Sequence, residues 1–311
     1  MNMGLVSTWG IPCGIAEHAA YLVEAVEAAD PTLQHTIVSD LHPDAVLQRP
    51  AGTFDLLVLN YHAALHSQWT PAHIHAAHAK GLPVLVVYHD SGTPNTDQCK
   101  GMVAAADCAV VHEPFEDLEG HVHYLRQGVP DWEVPIALGG RRPVVGTVGF
   151  DFGWKNYDLL CEASALAGWG CLIIAPDATE AREAHWREIN PHLRVLRDFI
   201  PRRDVTSVLA GCDATAFLYS CQNGGTSAAI RQGIAARKPV LALRDCRQFC
   251  DLWGTDAIHW ITNGSPAGVA RALAVTPIQR VDAGIVAVAE RDSWANAGRR
   301  YAQLYHQTVS R

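Results

Sequence analysis

The chain has 311 residues, 49% of them apolar and 18% charged, and that much apolar surface offsets the entropy of ordering and excludes intrinsic disorder. At roughly 150 residues per domain, the length suggests about two domains. Thirty-two acidic against 24 basic residues leave a formal net charge of −8 with no basic block, so no nucleic acid partner is expected.

No apolar run approaches the ~20 residues of a membrane helix. The opening MNMGLVSTWG has neither the charged leader nor the apolar core of a signal peptide. A cytoplasmic protein without a transmembrane segment is therefore expected. Nine cysteines, an odd number with no C-x-x-C spacing, read as reduced thiols. None of the 16 histidines stands in a recognised ligand motif with a carboxylate or a second histidine, so no metal site is expected.

In chain order, strands are predicted at Gly4–Ser7, Thr36–Ser39, Asp55–Asn60, Pro83–His89 and Cys108–His112. The second half adds Pro143–Gly149, Cys171–Ala175, Leu193–Leu196, Ala214–Leu218, Val240–Leu243 and Ile258–Ile261. Runs such as LLVL and VLVV are continuously apolar, as in parallel strands covered by helices on both faces. Helical stripes lie between them, for example Ile15, Ala19, Leu22 and Val26. This alternation predicts an α/β protein with two Rossmann-like doubly wound domains, at 1–140 and 141–311. The Pro- and Gly-bearing stretch Gln127–Arg142 reads as the linker. Trp294, Ala297, Tyr301 and Leu304 predict one closing amphipathic helix, from about 283 to 307.

Three loop-to-helix junctions could carry chemistry. In WGIPCGIAEHAAYL a helix opens near Gly14, with unsatisfied N–H groups facing whatever lies beyond the strand, or else the segment is a tight turn. In GTVGFDFGWKN the glycine spacing superficially matches a dinucleotide fingerprint, but Phe150, Phe152 and Trp154 intervene before the helix. Lys155 there suits a phosphate as a point charge, or is a solvated surface lysine. In NGGTSAAIRQ, paired glycines lead to Thr226 and Ser227 at a helix start, either an anion cradle or a plainly capped helix. His89 and Asp90 end the apolar run PVLVVYHD, at the strand edge where ligands gather in open α/β sheets.

The order of seven segments resembles the retaining glycosyltransferases of the GT-B fold, particularly family 4. They are CGIAEHAAYL, VYHD, YLRQGVP, VVGTVGFDFGWKN, DFIPRRDVTSVLAGCDATAFLYS, GGTSAAIRQGIAARKPVLA and DSWANAGRRYAQLY. The resemblance implies two domains facing across a cleft, the last helix crossing back onto the first. It implies a donor bound mostly against the second domain, with Gly14 approaching the phosphates or the acceptor. Phe150 stands where the family has an arginine, and the family's glutamate pair falls on Gly224 and Gln232. Gln232 could still bond ribose hydroxyls; Gly224 offers no side chain.

The expectation is a metal-independent retaining glycosyltransferase that takes a sugar from a nucleotide-diphosphate donor to a small-molecule or glycan acceptor. The nucleotide-sugar is a co-substrate, and no cofactor is expected. By resemblance His89 contacts the reacting sugar. Lys155 and the N–H groups at Gly225–Ser227 stabilise the departing diphosphate, with Asn223 and Thr226 in the same donor loop. Such a set would replace a divalent ion, and the chain contains no Asp-x-Asp triplet. Two alternatives are a non-catalytic nucleotide-sugar or glycan-binding protein, motivated by the missing arginine and glutamates, and a nicotinamide-dependent oxidoreductase, motivated by Gly146, Gly149 and Gly153.

Overall fold

The structure, a computed structural model, describes residues 1–89, 96–113, 120–139, 142–222, 225–277 and 282–310. It divides into two compact units: Met1–Gly128 with Asn223–Thr226 and Trp294–Arg311, and Val129–Gln222 with Ser227–Ser293.

The first unit contains β1 (Asn2–Val6), α1 (Gly14–Ala29), β2 (Gln34–Val38), α2 (Asp44–Leu47), β3 (Leu56–Tyr61), α3 (Pro71–His78), β4 (Val84–Tyr88), α4 (Thr96–Ala105), β5 (Cys108–Val111) and β6 (Val122–Tyr124). Its strands run parallel in the order β2-β1-β3-β4-β5-β6. Strand order reverses between β1 and β3, where open α/β sheets place a ligand crevice. Every residue of β3 and β4 is buried, which is why both read as unbroken apolar runs. The sequence reading misses β6, a three-residue edge strand of half-buried Val122, His123 and Tyr124 with no apolar run to mark it.

The second unit contains β7 (Val144–Val148), α5 (Tyr157–Leu166), β8 (Gly170–Ile174), α6 (Glu180–Ile189), β9 (Leu193–Leu196), α7 (Arg202–Ala210), β10 (Ala214–Phe217), α8 (Ala228–Ala235), β11 (Val240–Leu243), β12 (Ile258–Ile261), α9 (Pro266–Val275) and α10 (Ala283–Arg291). Six parallel strands lie in the order β12-β11-β10-β7-β8-β9, with the reversal between β7 and β10. Both units are thus Rossmann-like and doubly wound, as the alternation of apolar runs and helical stripes predicts. Among the described residues, no helix is long and apolar enough to cross a membrane.

Two boundaries differ from the sequence reading. The division falls after Gly128, not after residue 140. Val129 is buried in the second unit's core, its N–H donates to the Asp292 carbonyl at 2.7 Å, and Ile136 donates to the Ser207 carbonyl at 3.0 Å. The stretch read as a linker is therefore held along that unit. The single closing helix expected at 283–307 is two, α10 and α11 (Trp294–Val309). It breaks because Asp292 leaves helical geometry and Ser293 bridges to Val129.

In the first unit α11 packs on α1. Trp294 stacks on Tyr21 (centroids 5.4 Å, planes 8° apart), and Tyr301, Leu304 and Tyr305 join Leu22 and Val26 in the core. Gly298 permits the approach, since a Cβ there would collide with the Ala25 backbone. Gly298→Ala is expected to destabilise the protein by about 1–3 kcal/mol through overpacking, read as a lower denaturant midpoint at unchanged slope.

Candidate functional site

The loop after β7 sits at the second unit's strand-order reversal. A 3₁₀ turn, Gly153–Lys155, follows it and leads through Asn156 into α5. Two bonds clamp the turn to the end of β10: Asn156 Nδ2 donates to the Leu218 carbonyl at 2.7 Å, and the Ser220 N–H donates to the Trp154 carbonyl at 2.8 Å. Lys155 is 7% exposed, contrary to a solvated surface lysine. Its Nζ lies 5.5, 5.4 and 5.5 Å from the ring centroids of Phe152, Trp154 and Tyr219, within cation–π range. Gly149, at φ 133° after β7, makes room for the ammonium, because a Cβ there would collide with Nζ. Of the glycines whose spacing resembles a dinucleotide fingerprint, Gly149 thus serves a lysine, while Gly146 faces Cys212 and Gly153 faces open space.

Among the described residues, Lys155 has no carboxylate within ion-pair distance. Burial lowers its pKa to about 8, and the charges of Asp177 and Asp151 only partly oppose the fall. Both carboxylates are engaged elsewhere. Asp151 receives Arg182 at 2.8 and 3.3 Å, and Asp177 accepts the Asp151 N–H at 2.8 Å. The ammonium therefore faces the loop with its charge uncompensated. Phe150, where the resembling family has an arginine, meets Phe152 at a 45° tilt (centroids 6.0 Å), and Phe152 stacks on Trp154 (5.6 Å).

Ser227 precedes α8, bonds to the Tyr219 hydroxyl and leaves the helix without a side-chain cap. Tyr219 thus touches both Lys155 and the α8 N-cap, a link that sequence reasoning missed. The expected anion donors need correction, however. The Ser227 N–H donates to the Gln248 carbonyl at 3.3 Å, and the Gly225 N–H to Glu113 Oε2 at 3.2 Å. The first-turn N–H groups of Ala228 and Ala229, uncapped, are the ones aimed past the helix end. Thr226 Oγ1 bonds Gln127 Oε1 at 3.2 Å, and Gln232 Oε1 accepts from Thr206 Oγ1 at 2.5 Å, so Gln232 is directed to α7. Asp90, Asn223 and Gly224 lie outside the described residues.

In the first unit, Gly14 is the first residue of α1 with open space around its Cα, and that helix also has no side-chain cap. His89 follows β4, and its Nε2 lies 2.5 Å from Asn60 Oδ1. Asn60, fully buried on β3, donates through Nδ2 to Ser7 Oγ at 3.0 Å and to the Ile15 carbonyl at 3.1 Å. Sequence reasoning missed Asn60, though one polar residue ending the LLVL run was a signal. It also missed that His18 and His112 lie beside His89, with ring centroids 4.4 Å (His18–His89), 5.1 Å (His18–His112) and 5.2 Å (His89–His112) apart. Burial first, then the neighbouring imidazoles, lower the pKa values of His89 and His18 well below the ordinary histidine range.

Two Rossmann-like doubly wound domains in one chain match the GT-B fold, which solved structures share. Anabaena Alr3699/HepE in complex with UDP and glucose is 14% identical, with TM-score 0.69 over 99% of this chain and 100% of that one. A glycosyltransferase from Rickettsia africae ESF-5 is 11% identical, with TM-score 0.69 over 99% and 98%. The lipopolysaccharide outer core galactosyltransferase WaaB in its apo form is 11% identical, with TM-score 0.66 over 99% of each chain. No protein-family model and no curated protein matches the chain.

The buried ammonium has a thermodynamic signature. Lys155 has a pKa of about 8 when folded against an ordinary 10.5, so its burial opposes folding fully below pH 8 and ceases to do so as pH rises to 10.5. Lys155→Met is expected to raise stability at neutral pH by up to roughly 3 kcal/mol, at 1.36 kcal/mol per pKa unit. The gain should vanish above pH 10.5, read by urea unfolding across that range.

Proposed function

We propose that this chain is a nucleotide-sugar-dependent glycosyltransferase, metal-independent and retaining in the manner of family 4, which it resembles. The observation that carries the reading is Lys155, a cation held out of water at the strand-order reversal with no carboxylate within ion-pair distance among the described residues. Such an ion is costly unless an anion completes it. A diphosphate does so, and the uncapped start of α8 adds N–H donors and the positive end of a helix dipole. The fold neighbour solved with UDP and glucose supports a uridine nucleotide as the first donor to try.

In this reading the C1–O bond to the diphosphate breaks as negative charge gathers on the leaving oxygens. Lys155 and the α8 amides stabilise that charge in place of a divalent ion, already oriented before reaction. The acceptor hydroxyl attacks from the face the diphosphate leaves, and its proton passes to a departing phosphate oxygen. Anomeric configuration is thereby kept without a covalent intermediate. A role for His89 at the transferred sugar rests on the resemblance. A non-catalytic nucleotide-sugar-binding protein is the second reading, favoured by Phe150 in the arginine position and by Gln232 being turned to Thr206. Release of free UDP from UDP-sugars decides against it.

Titration calorimetry with UDP tests the donor site. Lys155→Met is expected to weaken binding at least tenfold, and Gly149→Ala to weaken it by displacing the ammonium. In the wild type, affinity should fall as pH rises through about 8, where the free protein's Lys155 loses its proton, rather than near 10.5. Undiminished affinity in Lys155→Met overturns the phosphate assignment.

A further inference from the structure

We infer that His18, His89 and His112 form a binding site for a divalent first-row transition-metal ion, zinc above all, within the first unit. The three come from separate places in the chain: the second turn of α1, the residue after β4 and the residue after β5. One ring nitrogen from each lies within 4.8 Å of the other two. Zinc–nitrogen bonds of 2.0–2.1 Å in tetrahedral geometry set ring centroids about 5 Å apart. The observed separations are 4.4, 5.1 and 5.2 Å, so small side-chain rotations bring the nitrogens onto one ion.

Hydrogen bonding fixes which nitrogens are available. The Asn60 amide is pinned because its Nδ2 must donate to the Ile15 carbonyl, leaving Oδ1 to accept. His89 Nε2, 2.5 Å from that oxygen, therefore carries a proton, and a neutral ring then has its lone pair on Nδ1. His112 Nδ1, 2.8 Å from the Leu125 carbonyl, likewise carries a proton, and its Nε2 holds the lone pair. Such outer bonds, from one ring nitrogen to an amide or backbone carbonyl, orient imidazoles that ligate metal through the other. Neither nitrogen of the buried His18 has a hydrogen bond of good geometry among the described residues, although nearby Asn60 favours its protonated form. His89 is half-buried, whereas His18 and His112 are buried.

Three imidazoles with no carboxylate in the set suit zinc, copper or nickel rather than magnesium. The ion would be held by three protein ligands with a fourth position open. The inference does not rest on the donor reading, because all three ligands belong to the first unit and none is Lys155.

The test is zinc titration of the full chain after chelator dialysis, followed by competition with a chromophoric chelator and by thermal unfolding. One zinc per chain, a raised Tm and no response to magnesium are expected. Cobalt(II) should give the intense visible bands of a four-coordinate ion. His18→Phe and His112→Gln should each lower zinc affinity at least tenfold while leaving UDP binding unchanged, which separates this result from failure of the donor site. Should either variant fail to fold, the wild-type cobalt spectrum still decides. Absence of stoichiometric zinc, six-coordinate cobalt spectra, or undiminished wild-type zinc affinity in both variants overturns the proposal.

Discussion

An ammonium enclosed by aromatic rings, with no carboxylate within ion-pair distance among the described residues, raises the energy of the folded state until an anion arrives. Much of the second unit's local architecture exists to hold that arrangement. The ring faces of Phe152, Trp154 and Tyr219 return part of the lost hydration energy as quadrupole attraction. Arg182 pairs with Asp151, one of the two acids whose charges bear on Lys155. The two bonds from Asn156 and Ser220 tie the 3₁₀ turn to the end of β10. The charge is thus fixed in position before any ligand binds, and preorganised electrostatics requires that.

The first unit solves the opposite problem. Its strand edge gathers imidazoles rather than a permanent cation, and burial among like groups keeps His18 and His89 neutral. Neutral rings can be buried closely together only if each proton is assigned, and Asn60 and the Leu125 carbonyl make that assignment for His89 and His112. The parallel sheet makes both arrangements possible. Its strands all point their carboxyl ends the same way within each unit, so residues distant in sequence arrive at one edge.

That geometry also explains what could and could not be read from the sequence. Strands buried on both faces write themselves as apolar runs, and all eleven predicted strands correspond to observed ones. Only the short β6, with His123 at its centre, left no such trace. The α1 start at Gly14 and the α5 start at Tyr157 were legible because stripes and turn residues are local signals. The break at Asp292 was not, because its cause is a pairing between Ser293 and Val129, far apart in the chain. The histidine trio escaped for the same reason. Motif reading looks for ligands a few residues apart, whereas His18, His89 and His112 meet only through strand order. Lys155 was visible as a candidate, but its burial was not, since aromatic neighbours such as Tyr219 come from another strand's end.

The substitutions that separate this chain from the family it resembles act on the same balance. An arginine at position 150 would bring a second cation with several donors to the loop after β7. With Phe150 there instead, a tilted ring contact with Phe152 replaces charge, and Lys155 carries the cationic load of the loop. A lone lysine neutralises a diphosphate less completely than a lysine and an arginine together, so geometry has to compensate for charge. Gly149 supplies that geometry by letting the ammonium lie against the backbone at the end of β7. Any side chain at 149 forces Lys155 outward, and an uncharged residue at 155 leaves the strained φ of 133° at Gly149 without a purpose. The two positions therefore form one unit of design, in which a left-handed glycine and a buried cation are each intelligible only through the other.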